Sequence, residues 1–431
     1  MGEFIPFGKN AGRLKTTHVH IFIVIACAVI IYWPVCRFNF LIGWDDQWFV
    51  TNHYTKNGVT LRNLSSVFTD FYCGQYAPIN QLFYTCIYSL VGYKPNYFHT
   101  ACLVIHLANS VLVYDLIRKV SGDISNLPPE QNLRIAFVTA LLFAVMPVNV
   151  EPVAWVSASK VTLYAFFYLL ALGWYRRYVL EPKQKYFYLS LVFYIVSFGA
   201  KEQAVVLPLS MLLMDYVYGR NLLDRLIWFE KLPIFILSVL FGGVTIASQR
   251  SEGGDFYSIF QRLPLSFYTL SEYFTKVIAP VNLSYLYPFP FQKTATVPLW
   301  LWIYPLAIPA VVYCFFKQFT QKCILFGLLF FMIHIILVCN ILSLSRYSVT
   351  ADRYAYLSSI GLCFVVGYIF VLRLSRTRYK SFLIAIGVTY VVVLIVYANS
   401  YVKVWSSTYI LKEKLKTTIE QRGDFKQLNK K

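Results

Sequence analysis

Charge is scarce in this chain, so the few acidic residues that fall together stand out. Only 20 of 431 residues are Asp or Glu. Two of them, Asp45 and Asp46, are adjacent in the run Gly43-Trp44-Asp45-Asp46-Gln47-Trp48, just after the first apolar segment. A carboxylate at a membrane boundary is costly unless it is solvated, paired or used. The pair suits a general base that takes a proton from a hydroxyl, with the neighbouring carboxylate raising its pKa or orienting the substrate. A solvated loop turn is the plainer alternative. Adjacent carboxylates can also hold Mg2+ or Mn2+ through oxygen, though two alone make a thin ligand set.

Further ionisable residues interrupt apolar sequence. Glu151 lies between Pro147 and Pro152 in Met146-Pro147-Val148-Asn149-Val150-Glu151-Pro152-Val153-Ala154-Trp155, and Lys160 follows. The prolines break helical structure there, so Glu151 either caps the next helix or works at membrane depth. Lys201 and Glu202 are adjacent between two apolar runs: a self-neutralising pair, or a phosphate-binding lysine with an orienting carboxylate. Arg346 and the run Ala351-Asp352-Arg353-Tyr354 offer guanidinium groups that can fork onto a phosphate or simply snorkel to the interface. Arg250, Glu252 and Asp255 read as a solvated loop. His53, His99 and His106 lack metal-ligand spacing, and no glycine-rich phosphate loop, serine elbow or H-E-x-x-H motif occurs.

The elements that must position these groups are membrane helices. The chain is 58% hydrophobic and 14% charged, with a mean hydropathy of +0.55, which describes an all-α polytopic membrane protein. Hydropathy predicts about eleven membrane spans, at roughly 18–36, 98–118, 134–147, 160–178, 186–199, 203–218, 232–248, 297–315, 323–342, 355–373 and 381–400. Several fall short of the ~20 residues a full crossing needs, so broken or tilted helices are expected. The segment 264–282 reads as interfacial or re-entrant. About half of the 39 Lys and Arg residues cluster in short segments that alternate between spans, which predicts N-in, C-out orientation. The net charge of +19 is therefore topological, and nucleic acid is not an expected partner. The first extracytoplasmic loop, roughly 37–97, is aromatic enough for amphipathic helices lying on the bilayer. Nine cysteines show no paired spacing, although Cys36, Cys73 and Cys86 near that loop leave room for one disulfide. Residues 1–400 are expected to form one membrane domain and 401–431 a short polar extracytoplasmic tail without repeats.

Four of these motifs, in order, resemble the membrane region of the transmembrane and tetratricopeptide-repeat O-mannosyltransferases and their bacterial relatives, within the GT-C superfamily. The acidic pair matches at Asp45 and Asp46. The family's "HPVHVEAVAW…RK" segment matches at Pro147, Val148, Val150, Glu151, Val153, Ala154, Trp155 and Lys160. Its "KE-x-A-V-x-L-P" segment matches at Lys201, Glu202, Ala204, Val205, Leu207 and Pro208, and "DRY-x-Y-L" at Asp352, Arg353, Tyr354, Tyr356 and Leu357. The family's two histidines are here Met146 and Asn149, Ser159 stands where relatives often carry Arg, and no tetratricopeptide array follows Tyr401.

The resemblance implies a GT-C core whose extracytoplasmic site takes a sugar from a polyprenyl- or dolichyl-phosphate donor. The sugar, mannose or another hexose, would pass with inversion to a hydroxyl acceptor, protein Ser or Thr first of all. It assigns the base to Asp45 or Asp46, the donor phosphate to Lys201 and Arg353 with Arg346 and Lys160 beside them, and orienting roles to Glu151, Glu202, Asp352 and Trp155. Transfer to a lipid-linked glycan or lipid A is the alternative within enzymes. A transporter or flippase of lipid-linked sugars is the alternative outside them, and would predict inverted repeats that the sequence lacks. The short core without repeats points to a bacterial inner membrane rather than the endoplasmic reticulum.

Overall fold

The computed structural model describes residues 7–248, 257–292, 294–341 and 348–420. Helices dominate, and among the described residues the only β pairing is an isolated bridge between Tyr72 and Gln75. Helix α1 (Phe7–Tyr32) leads into the first loop, which is built of short helices: α2 (Asp46–Phe49), α3 (His53–Lys56), α4 (Leu61–Thr69) and α5 (Pro78–Val91). Local chemistry starts them. The Asn52 side chain caps α3 by accepting from Thr55 N–H, Thr60 caps α4, and Pro78 opens α5. Cys36, Cys73 and Cys86 are free thiols, so no disulfide braces the loop.

The centre of the bundle comprises α6 (Pro95–Ile124), α7 (Pro129–Val145), α8 (Val150–Ala154), α9 (Ser159–Leu180), α10 (Gln184–Ala200) and α11 (Leu207–Val217). Outside it stand α12 (Arg225–Ser248), α13 (Ile259–Ile278), α14 (Ile303–Cys314), α15 (Phe316–Phe319) and α16 (Lys322–Ile335), then α17 (Ala355–Arg376), α18 (Lys380–Val402) and α19 (Thr408–Glu420). α9 packs antiparallel against α10 and also touches α6, while α7 lies between α6 and α17. Buried tyrosines fill the core, and several of their hydroxyls find partners, as a water-poor interior favours. Tyr356 Oη bonds His106 Nδ1 (2.8 Å) and Asn109 Nδ2 (3.1 Å), and Tyr168 Oη bonds Ser210 Oγ (2.7 Å).

Every apolar stretch expected to span is helical, but the expected count of about eleven spans needs correction. Among the described residues six helices are long and apolar enough to cross a membrane, or seven when the pair Pro129–Val145 and Pro147–Ala154, bent by 54°, counts as one broken span. Length is the reason. α11 has 11 residues, and at ~1.5 Å per residue it covers about half of a ~30 Å hydrocarbon core. α10 has 17 residues and falls just short, while the shorter apolar helices Leu299–Cys314 and Lys322–Val338 also stay under the limit. α13 has 20 residues but is not apolar enough to cross, in line with the interfacial reading of 264–282.

Two packing features hold the outer helices in place. At the far end of α9, Asp215 accepts from Tyr175 (2.7 Å) and pairs with Lys231 (2.5 Å), while Arg220 forks onto Glu230 (3.1 and 2.7 Å). This network fastens α12, much of whose remaining surface faces outward. Where α16 meets α17, a Cβ on Gly361 would strike the Gly327 carbonyl, so both helices approach at backbone distance. Gly361→Val should therefore destabilise the protein by about 1–3 kcal/mol through overpacking, read as a lower Tm in detergent. An unchanged Tm would show that the helices can part without cost.

Candidate active site

The site forms where helices stop. Four interruptions meet at one end of the bundle: the turn before α2, the 146–159 segment between α7 and α9, the 201–206 segment between α10 and α11, and the 351–354 segment before α17. Each has a local cause. Gly43 sits at φ +76° and aims the following residues back, with its N–H held by Gln47 Oε1 at 3.0 Å. Pro147 and Pro152 remove backbone donors, so α7 ends at Val145 and three short turns follow. Lys201 is extended at φ −160°, and Ala351 at φ −146°.

Within these turns the two adjacent aspartates take different environments. Asp46 is buried and fully occupied. Its Oδ2 accepts from Leu41 N–H (2.9 Å), and its Oδ1 accepts from Ser157 N–H (3.0 Å) and Ser157 Oγ–H (2.5 Å). It staples the first loop to the 146–159 break, and Tyr84 of α5 adds bonds to Val156 O and Ser159 Oγ, both 2.8 Å. Asp45 is half-buried, and its carboxylate makes no hydrogen bond or ion pair with any described residue. Burial lifts its carboxyl above the ordinary aspartate range, with Lys160 and Arg353 pulling the other way.

The basic residues converge on Asp45. Glu151 is buried, accepting from Arg353 N–H at 2.9 Å through Oε2 and from Arg353 Nη1 at 2.5 Å through Oε1. The Arg353 guanidinium stands over the rings of Tyr354 (5.2 Å), Tyr285 (5.5 Å) and Trp155 (5.9 Å). Lys201 Nζ pairs with Glu202 Oε1 at 3.2 Å and faces the Tyr354 ring at 5.5 Å. Burial would raise the Glu202 carboxyl, but Lys201 and Lys160 together bring it down to about 2. Lys160 lies within electrostatic reach of Lys201, Glu202, Arg353 and Asp45. Its ammonium donates to the neutral Gln75 Oε1 (2.5 Å) and rests on the Phe49 ring at 5.3 Å. Asp45, Lys160, Glu202, Arg353, Tyr354 and Tyr285 all remain partly exposed, so each is open to a ligand approaching this end of the bundle.

Three expected site residues stand elsewhere. Asp352 turns away from its neighbour Arg353 into a buried network, accepting from Tyr287 Oη (2.7 Å) and Tyr401 Oη (3.2 Å), with Lys276 at 4.0 Å. It anchors the turn that presents Arg353 rather than being open to a ligand itself. Trp155 is a wall, stacked on Trp405 at 5.5 Å. Arg346, like Arg250, Glu252 and Asp255, lies outside the described residues. Among the described residues no group of three or more His, Cys, Asp or Glu is arranged to hold a metal. With both Asp46 oxygens engaged, the acidic pair presents one open carboxylate, not two.

Sequence reasoning passed over Gln75, Ser157, Tyr285 and Trp405. Tyr285, on the loop between α13 and α14, meets Trp44 (5.0 Å), Trp155 (5.5 Å) and Trp405 (6.0 Å) edge to face. With 34 tyrosines in the chain, nothing in the sequence set this one apart.

Comparison with known proteins gives a partial likeness. The chain is 32% identical over 145 residues to the human Protein O-mannosyl-transferase TMTC1, covering 31% of this chain and 15% of the human protein. The mouse Protein O-mannosyl-transferase TMTC1 is likewise 32% identical over 145 residues, covering 31% of this chain and 14% of the mouse protein. The chain thus aligns with about a seventh of the length of these relatives. No family model and no solved structure matches it.

The two aspartates should separate by stability. Asp46→Asn keeps the shape but sets an NH2 against donors, so it should destabilise the fold by about 2 kcal/mol or more. Asp45→Asn, with no described partner to lose, should leave Tm unchanged. Equal Tm values for both variants would dissolve the distinction.

Proposed function

We propose that this protein is an integral-membrane inverting glycosyltransferase that moves a sugar, mannose in the first instance, from a polyprenyl- or dolichyl-phosphate donor to a hydroxyl acceptor such as protein Ser or Thr. One observation carries the reading. Of the three cations of the cluster, of which Lys160 and Arg353 act on Asp45, Arg353 is matched by Glu151 and Lys201 by Glu202, whereas Lys160 makes its only described hydrogen bond to a neutral amide. The cluster therefore has a lysine amine without an ion pair of its own among the described residues, within electrostatic reach of an open carboxylate. An anionic leaving group fits the first and a proton-yielding nucleophile the second. The partial likeness to proteins named O-mannosyl-transferases supports the same chemistry.

In this scheme the donor phosphate sits against Lys160, with Arg353 and Lys201 supplying further positive potential. The acceptor hydroxyl approaches the anomeric carbon from the opposite side, beside Asp45. As the new C–O bond forms, the bond from the anomeric carbon to the phosphate oxygen breaks and the electron pair leaves on the phosphate. Asp45 takes the hydroxyl proton. Its raised pKa makes it a stronger base than an ordinary aspartate. Glu151 holds Arg353 in place through two contacts, and Glu202 does the same for Lys201. Asp46 and Asp352 support the turns that carry Asp45 and Arg353. The membrane core would be one catalytic domain, with the region after Tyr401 packed on it.

The test is sugar transfer from radiolabelled polyprenyl-phosphate mannose by purified protein and variants. Asp45→Asn should lower kcat by about 10²- to 10⁴-fold, the usual worth of a general base. Because the base works deprotonated, wild-type activity should fall as pH drops through the raised Asp45 pKa, and Asp45→Asn should lack that acid limb. Lys160→Gln should raise the donor KM, and Arg353→Lys, which gives up the guanidinium contact with Glu151 while keeping the backbone one, should cost about tenfold or more. Full activity in Asp45→Asn would remove the base from the scheme. Absence of transfer to any hydroxyl acceptor would remove the scheme itself.

A further inference from the structure

One polar group at this end of the bundle has no task in that scheme. The Tyr285 hydroxyl makes no hydrogen bond with any described residue, yet the side chain is only partly exposed and fixed on every side. Trp44, Trp155 and Trp405 meet its ring edge to face, and Arg353 stands over it at 5.5 Å. The phenol oxygen is therefore held in place with its hydrogen-bonding capacity open to a bound ligand.

We propose that the Tyr285 hydroxyl donates a hydrogen bond to a ring hydroxyl of the donor's pyranose and so helps determine which sugar is accepted. The proposal rests on the glycosyl-transfer reading. Position assigns the sugar rather than the phosphate. Tyr285's strongest electrostatic neighbours are Arg353, Asp45, Glu151 and Tyr354, one cation and two carboxylates among them. Lys160 shares Arg353 and Asp45 with it but has Lys201 and Glu202 for its other neighbours. The singly charged phosphodiester of the donor is favoured on the lysine side, where Lys160, Lys201 and Arg353 face two carboxylates, over the Tyr285 side, where Arg353 alone faces two and a neutral, hydroxyl-rich ring is welcome. The partly exposed rings of Trp44, Tyr285 and Tyr354 offer apolar surface that the C–H face of a pyranose can pack against, with Trp155 and Trp405 buried behind them. Burial holds the phenol at a pKa of about 12, so it stays protonated and able to donate at any working pH.

The experiment compares full-length wild type with Tyr285→Phe in lipid nanodiscs, using polyprenyl-phosphate mannose and a set of singly deoxygenated mannose donors. Sugar-free polyprenyl phosphate serves as a competitor. Wild type should discriminate against one deoxy donor by about 3- to 10-fold in kcat/KM, the worth of one neutral hydrogen bond. Tyr285→Phe should lose the same factor on the native donor, lose nothing further on that deoxy donor, and bind sugar-free polyprenyl phosphate unchanged. Independent, additive losses on every deoxy donor would overturn the proposal. So would wild-type kcat/KM in Tyr285→Phe, or weakened binding of sugar-free polyprenyl phosphate, which would place the phenol on the phosphate. Transfer by wild type with an indifferent Tyr285→Phe sinks this proposal alone. No transfer by wild type sinks the glycosyl-transfer reading and this proposal with it.

Discussion

A helix that stops inside an apolar medium strands its last carbonyls and the next helix's first N–H groups, and lipid offers them nothing. This protein stops its helices repeatedly, and the breaks are tolerable because they are stacked against one another. Asp46 answers N–H groups from Leu41 and Ser157, Glu151 answers the N–H of Arg353, and Tyr84 answers the carbonyl of Val156. Side chains from one interruption thus satisfy the backbone of another. Non-helical backbone at this depth is confined to a place walled by protein, and that place is where charged groups can stay open to a ligand.

The charges follow the same logic at both ends of α9. Lys160 in its first turn belongs to the candidate site, and Tyr175, fifteen residues on and so about 22 Å away, bonds the buried Asp215. At the far end every strong charge has an opposite neighbour: Lys231 with Asp215, Arg220 with Asp215 and Glu230. Such a balanced set ties helices together and offers a ligand nothing. The near end is also close to balanced, but its charges are shared unevenly, with Lys160 and Asp45 each left open to a ligand. The same residue types thus serve as a fastening in one place and as a receptive surface in the other.

Much of this was legible in the sequence. The apolar stretches marked the helices because hydropathy records burial in lipid or protein without distinguishing them. For that reason α11, largely sheathed by neighbours, and α10, which exposes an apolar face, both read as spans although they are short. Motif order brought Asp45, Glu151, Lys160, Lys201, Glu202 and Arg353 onto one candidate surface. It could not tell Asp45 from Asp46, because the difference lies in Ser157, 111 residues away. Nor could it turn Asp352 from Arg353, since Tyr287 and Tyr401 decide that. Lys160 looked secondary until Glu151 and Glu202 proved to be committed to other cations. These are contacts across folded distance, and local sequence carries no trace of them.

Trp405 is buried, stacks on Trp155 and meets Tyr285. Past it, Thr408 Oγ1 donates to Ile42 O at 2.7 Å, on the same turn that leads to Asp45. The walls of the site are therefore drawn from sequence positions 44 to 405. During synthesis the acidic turn would enter the membrane early and wait, with its aromatic lining incomplete, until the last helices had followed. A ribosome-bound chain short of Trp405 would hold nearly all the charged groups and still lack the ring that closes the Trp155 face. Assembly order would then act as a safeguard, keeping a half-made protein from presenting a finished charged cluster.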